Sequence, residues 1–399
     1  MLKKVKKLVK KYIKRFNKFY TLKIVFPLVY KWNARKPVDE NKVILLEVRF
    51  DGLSNSFSEI YPKLKEHPEL KVRIHNLGLT FVKTVQYDKN CIKFLKDMAT
   101  AKYVFLNEAS NTVSCVKKRS ETIVFQTWHG CGAFKRFGFS TAQLIFGENE
   151  KSMLKYPFYN NINYFSVSSP EVVWAYEEAT NSKRYGTKIV PVGISRSDFF
   201  YNEDNKQKAF ENLYEVMPQA KGKKVLMYAP TFRGRVVSAK APNKLNIELM
   251  KYALSDEYVL IIKHHPFVRK RPEIPAGCED FAMDVTELMT IDDMMFVSDI
   301  CISDYSSLVF EYSLFEKPMI FLAYDLENYI DWRGFYYPYE QLVPGPIVDN
   351  TLDIVDFVKN ADKFDKEKVV KFREKFMASC DGHATDRIFD LVFKDKFKK

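Results

Sequence analysis

The spacing of apolar and polar positions changes character along the chain. Over residues 1–24, Leu2, Val5, Leu8, Val9, Tyr12, Ile13, Phe16, Phe19 and Tyr20 recur at helical spacing. Between them stand Lys3, Lys4, Lys6, Lys7, Lys10, Lys11, Lys14, Arg15 and Lys18, with no acidic residue. This pattern predicts an amphipathic helix with one apolar and one strongly basic face. From residue 43 the pattern alternates. Apolar runs predict strands at 43–48, 72–76, 103–107, 122–128, 164–168 and 187–192, with helices around 60–64 and 91–99 and a helix opened by Pro170 at its first position. A charged segment at 201–222 reads as a domain boundary. A second series follows, with strands at 223–230, 257–264, 281–285, 299–303 and 318–323 and helices near 246–254, 290–297 and 306–316. From about 351 the tail is helical and highly charged. Two alternating series predict an α/β protein with two Rossmann-like units facing a cleft. The expected divisions are a basic amphipathic segment at 1–30, a first unit at 40–202, and a second at 203–399 that includes the helical tail.

Composition adds a direction. At 399 residues each unit can bury its own core. The net charge of +13 points to an anionic partner: a membrane surface, a nucleic acid or a phosphate-rich substrate. No nucleic-acid-binding motif accompanies the charge, so no nucleic acid is expected. A basic helix with aromatic anchors reads as an element lying on an anionic membrane, the alternative being a helix packed on the body by its apolar face. No apolar run approaches the ~20 residues of a spanning helix, and no signal-peptide pattern is present. The six cysteines (91, 115, 131, 278, 301 and 380) are scattered, several within apolar runs, which predicts reduced and mostly buried thiols in a cytosolic setting.

The candidate chemistry lies at predicted strand ends. Asp299 to Glu311 reads as strand, polar turn and helix start, with Asp304, Ser306 and Ser307 as capping types. Hydroxyls beside a helix amino terminus suit a diphosphate, and a plain structural cap is the alternative. His129, followed by Gly130 and Gly132, could serve as a general base or be a structural histidine; Lys135 and Arg136 downstream could meet phosphate. The glycines there do not make the dinucleotide fingerprint G-x-G-x-x-G. His264 and His265 end another strand and point to opposite faces, so they are not a zinc pair. Arg233 and Arg235 are possible phosphate ligands, and Gly193, Arg196 and Asp198 close the first unit. Arg333 lies in a loop rich in turn formers. No metal site is expected, although Mg2+ could accompany a diphosphate.

In this order the chain carries Trp128-His129-Gly130, Gly193-x-x-Arg196-x-Asp198, Tyr228-Ala-Pro230-Thr231, His265-Pro266, Ser303-Asp304-Tyr305-Ser306-Ser307, Lys317-Pro318, Tyr324-Asp325-Leu326 and Arg333-Gly334-Phe335-Tyr336 through Pro344-Gly345-Pro346. Over roughly residues 120–350 it closely resembles the CDP-glycerol glycerophosphotransferases, the teichoic acid primases and polymerases. The resemblance implies a GT-B fold, a peripheral position on the cytoplasmic face of the bacterial membrane, and no integral cofactor. It also implies transfer of glycerol phosphate from CDP-glycerol to a hydroxyl of a lipid-linked acceptor, with release of CMP. A ribitol-phosphate or capsule-polymer enzyme, or a nucleotide-sugar glycosyltransferase, is the alternative. By resemblance, His129 matches the base, and His265, Ser306 and Ser307 match groups that hold the donor diphosphate. Arg233 and Arg333 are added for phosphate charge, with Asp304, Arg196, Asp198 and Lys135 in support. The sequence departs from the family pattern at Cys131-Gly132-Ala133-Phe134-Lys135, and at Ser195 where proline is usual.

Overall fold

The computed structural model describes residues 2–144, 147–234 and 238–397, with backbone alone for 2–5, 7 and 330–333. Two six-stranded parallel sheets are present among these residues. The first comprises β1 (Asp39–Glu47), β2 (Lys71–Asn76), β3 (Ala101–Leu106), β4 (Ile123–Gln126), β5 (Tyr164–Ser166) and β6 (Lys188–Val190), in the order β2-β1-β3-β4-β5-β6. The continuous apolar run of β1 fits a strand covered on both faces. Ile44 and Leu46 join Val104 and Leu106 in the main core. Val43 and Leu45 point the other way, onto Tyr103, Phe105, Ile388, Val392 and Phe393.

The second sheet comprises β7 (Lys224–Tyr228), β8 (Tyr258–Ile262), β9 (Ala282–Asp284), β10 (Ile300–Ser303), β11 (Met319–Leu322) and β12 (Ile347–Val348), in the order β12-β11-β10-β7-β8-β9. Strand order reverses between β1 and β3 in one sheet and between β7 and β10 in the other. Such switch points open a crevice at the carboxyl ends of the strands. β12 is absent from the sequence reading, because two residues following Pro344-Gly345-Pro346 carry too little pattern to separate from a loop. The segment at 201–222 holds a helix, Glu203–Val216, capped by the Asn202 side chain, which accepts the Asp204 N–H at 2.9 Å. Its buried stripe includes Ala209 and Leu213, narrow enough to be masked by the surrounding charge.

The last helix, Ala384–Phe397, crosses back and packs on the first sheet through Ile388, Val392 and Phe393. The Asp198 carboxylate accepts the N–H groups of Ala384 and Thr385 at 3.1 and 2.7 Å. Ser195 and Thr385 share a hydroxyl–hydroxyl bond of 2.8 Å, which gives this departure from the family pattern a local role. At the other end, the Leu2–Tyr20 helix leads through a π-helical turn, Thr21–Val25, into Phe26–Asn33, and Leu22, Phe26 and Tyr30 anchor that part in the core. Leu8, Tyr12, Ile13 and Phe16 are all exposed, so the apolar face of the first helix is not packed on the body. No helix among the described residues is long and apolar enough to cross a membrane. The six cysteines are free, and all but Cys115 are buried.

The chain turns at Gly193 with φ +92°, and a β-carbon there would stand 2.0 Å from the Ser379 carbonyl oxygen. Arg387 donates to that same carbonyl, so the tail cannot yield easily. Gly193→Ala is expected to cost about 3 kcal/mol, read as a lowered midpoint in chemical denaturation.

Candidate active site

The loops that follow β4, β7, β8 and β10 meet at the second sheet's switch point. They enclose a cleft of about 280 Å³ lined by His129, Arg196, Pro230, Thr231, Lys263, His264, His265, Ser306, Ser307 and Glu311. Five of the expected residues thus come together: His129, Arg196, His265, Ser306 and Ser307. The Ser306 hydroxyl accepts the Leu308 N–H at 3.4 Å, while the Ser307 side chain makes no capping bond. The Leu308–Tyr312 helix runs on as a 3-10 turn and stops where Glu316 turns left-handed, φ +52°.

Asp304 holds this wall together from beneath. Its buried carboxylate accepts the N–H groups of Thr231 (2.9 Å) and Tyr305 (2.6 Å), the Thr231 hydroxyl (2.9 Å) and Arg233 (3.0 Å). It therefore ties the β7 loop to the β10 loop, a positioning role. Arg233 was expected to meet phosphate. Instead its guanidinium is engaged by Asp325 at 2.6 and 3.0 Å, by Asp304 and by Thr231, among the rings of Tyr305, Tyr324 and Tyr329. Lys135 donates to the Tyr329 hydroxyl at 3.1 Å and lies outside the cleft lining. Asp198 caps the last helix, as above. The side chain of Arg333, and Arg235, lie outside the described residues.

His129 is set by an unusual turn. Trp128 adopts φ +59°, a strained conformation for a bulky residue, and its indole lies 4.4 Å from the imidazole, centre to centre. Phe137, Phe165 and Tyr176 pack around the indole. His129 Nδ1 is 3.3 Å from the Asn107 carbonyl. With Nδ1–H as donor, an assigned tautomer, Nε2 keeps its lone pair for a substrate proton. The Asn107 amide donates to Glu47 at 2.5 Å, and Glu47 also accepts the Ser54 N–H at 2.7 Å. These bonds join the ends of β1 and β3 where the first sheet reverses.

A second cavity, about 510 Å³, opens at that reversal, lined by Arg49, Glu108, Trp128, His129, Met153, Phe158 and Tyr159 among others. Arg49 and Glu108 pair across 2.8 Å. His129 lines both cavities and so forms part of the wall between them. Arg49 and Glu108 were missed by sequence reasoning, since neither stands in a recognisable motif. His264, also outside the expected site residues, is buried in the cleft wall, and its Nδ1 has no hydrogen-bond partner among the described residues.

A buried ion cluster crosses the cleft. Arg196 lies 2.5 Å from Asp292 and 3.4 Å from Glu311, and it donates to the His129 carbonyl at 3.2 Å. Asn55 donates to the other oxygen of Asp292 at 2.8 Å. Beside it, Gly132 (φ +63°) faces the Phe310 ring, where a β-carbon would come within 2.3 Å. The altered 131–135 segment therefore packs at the junction of the two units. Burial pushes the Glu311 carboxyl up to about 7, against the pull of Arg196.

Residues 28–394 match the family of CDP-glycerol:poly(glycerophosphate) glycerophosphotransferases. The chain belongs to this family. It is 34% identical over 376 residues to a teichoic acid ribitol-phosphate primase of Bacillus spizizenii, spanning 93% of this chain and 96% of the primase. It is 27% identical to a teichoic acid glycerol-phosphate primase of Bacillus subtilis, spanning 88% and 92% of the two chains. A solved structure of the wall teichoic acid polymerase TagF matches with a TM-score of 0.75 at 23% identity, covering 99% of this chain and 97% of that one, which establishes the GT-B fold.

Within this member of the family, desolvation at its deep position lowers the His129 pKa from 6.5, opposed by the negative charge of Glu108, although the ring remains accessible through the cavities. We propose His129 as a general base, which must be neutral to act. Acceptor-dependent kcat/KM is therefore expected to be level at neutral pH and to fall on acidification with an apparent pKa below 6.5. Glu108→Gln removes the opposing charge, so the acid limb moves to still lower pH, as read from pH–rate profiles of the two proteins.

Proposed function

We propose that this protein transfers a polyol phosphate from a CDP-polyol to a hydroxyl of a lipid-linked acceptor, releasing CMP. The observation that carries the reading is the placement of His129 in the wall shared by two cavities, each at a switch point of its sheet. The unit around the second sheet holds the donor, and the unit around the first sheet, on which the last helix packs, receives the acceptor. The cleft with His265, Ser306 and Ser307 takes the diphosphate, where hydroxyls and imidazoles offer hydrogen-bond donors. His129 Nε2 takes the proton of the acceptor hydroxyl as its oxygen attacks the phosphorus bearing the polyol. The bond from that phosphorus to the bridging oxygen breaks, and CMP departs with the electron pair. Phosphoryl transfer of this kind depends chiefly on position and electrostatics.

The family description favours CDP-glycerol as donor. Ribitol phosphate is the second reading, supported by the higher identity to the ribitol-phosphate primase than to the glycerol-phosphate primase. The 34% identity to a ribitol-phosphate primase supports addition of a first unit to a bare acceptor. The exposed apolar face of the Leu2–Tyr20 helix, opposite its lysines, supports a peripheral position on the cytoplasmic face of the cell membrane.

CMP release from CDP-glycerol and CDP-ribitol, each with a bare lipid-linked disaccharide and with one already carrying a polyol phosphate, tests the assignment. A primase releases CMP with the bare acceptor, and the preferred donor names the polyol. No release from any pairing by folded, CDP-binding protein would end the proposal. His129→Ala is expected to lose about a hundredfold to ten-thousandfold in turnover while still binding CDP; wild-type turnover would remove the base assignment.

Each basic residue at an anionic surface contributes about 1 kcal/mol. Lys10→Glu/Lys11→Glu/Lys14→Glu is therefore expected to weaken co-sedimentation with phosphatidylglycerol vesicles sharply at low salt, and undiminished binding would refute the role of the helix.

A further inference from the structure

The loops beyond β1 and β2 expose large apolar side chains where a soluble protein ordinarily places polar ones. Phe50, Leu53, Leu79, Phe81 and Val85 are all exposed, from 39% at Leu53 to 68% at Val85. These loops are knitted together. The Leu79 N–H donates to the Val48 carbonyl at 3.0 Å and the Thr80 hydroxyl to the Arg49 carbonyl at 3.1 Å. The Asn76 amide reaches the carbonyls of Phe50 (3.1 Å) and Gly52 (2.6 Å). The result is an ordered apolar ledge, and apolar patches of this sort mark interaction sites.

Its position indicates the partner. Arg49, which opens the ledge, also lines the cavity that holds Glu108 and His129. The same cavity is bounded elsewhere by Phe158 and Tyr159. Just before them, the ring of Tyr156 receives the Lys18 ammonium at 4.5 Å, and Lys155 stands 5.9 Å from the Phe19 ring. Arg49 at the start of the ledge, and Phe158 and Tyr159 close in sequence to the residues that meet the helix root, therefore line one cavity. Exposed Lys83 and Lys89 flank the ledge, with Asp51 as its exposed acidic neighbour. Exposed apolar side chains flanked by two lysines, in a chain that also carries a basic amphipathic helix, match an anionic bilayer surface.

We propose that residues 49–53 and 79–85 form a second bilayer contact, which seats the mouth of the Arg49–Glu108–His129 cavity against lipid. This rests on the reading of that cavity as the acceptor site. A lipid-linked acceptor then keeps its chain in the bilayer while its hydroxyl enters the cavity, without being lifted through water.

The test is the full chain carrying Phe50→Ser/Phe81→Ser/Val85→Ser, all at exposed positions, compared with wild type. Two measurements are made: co-sedimentation with vesicles of phosphatidylglycerol and phosphatidylcholine, and CMP release with the acceptor either embedded in those vesicles or supplied as a water-soluble short-chain analogue. Vesicle affinity is expected to fall about tenfold or more. Turnover of the embedded acceptor falls with it, and turnover of the soluble analogue stays at the wild-type level. Unchanged vesicle affinity overturns the proposal, including the case where the ledge serves a protein partner. Equal loss of turnover with both acceptors also overturns it, since the ledge would then be part of the catalytic fold. If wild type turns over neither acceptor, the transfer reading fails, and the vesicle measurement alone still decides the ledge.

Discussion

The structure depends on a buried cation shared between its two halves. Arg196 leaves the first unit and is met by Asp292 and Glu311 of the second, with little water to solvate any of the three. Removing Arg196 from such a buried cluster costs about 3–5 kcal/mol, because the carboxylates that faced it are left without their cation. The same guanidinium donates to the His129 carbonyl, so the contact that joins the units also holds the turn bearing His129. The geometry of His129 is therefore tied to the contact between the two units. Gly132 against Phe310 has the same consequence in apolar terms, since only a residue without a side chain lets the two surfaces meet there.

Each sheet contributes a crevice by the same rule and fills it with different chemistry. At the β7–β10 reversal hydroxyls and imidazoles stand among apolar side chains such as Ile291, Met295 and Leu308, and the Asp304 carboxylate braces the wall through Thr231. At the β1–β3 reversal Glu47 and Asn107 lock the strand ends, leaving Arg49 and Glu108 as the charged lining. A carboxylate beneath one crevice and another beneath the second do the same work: each satisfies loop N–H groups that would otherwise face the cleft unpaired.

Much of this was legible in the sequence because strands buried on both faces, such as β1 and β8, are continuous apolar runs. The family motifs also locate the strand ends where His129, His265, Ser306 and Ser307 stand. Other positions stand in surroundings that the sequence does not show, for identifiable reasons. Arg233 reads as a phosphate ligand until Asp304 and Asp325, distant in sequence, are brought onto its three nitrogens. Asp198 reads as a site residue beside Arg196, yet in the 3-10 turn Ser195–Tyr201 the two side chains diverge, one to the cleft and one to the amino terminus of the last helix. The pairing of Arg49 with Glu108 arises only from the adjacency of β1 and β3, which no local pattern encodes.

Those same two strands connect the chemistry to the surface. A transferase whose donor is soluble and whose acceptor is anchored in a bilayer has to receive its substrates from different phases. If His129 stands between them, one cavity must open toward water and the other toward lipid. Exposed Phe50 and Leu79 lie directly beyond β1 and β2, and Phe50 follows Arg49, which lines the cavity at the β1–β3 reversal. Exposed apolar side chains beyond β1 and β2 are costly for a protein wholly in water, and the bilayer contact proposed above would cover them.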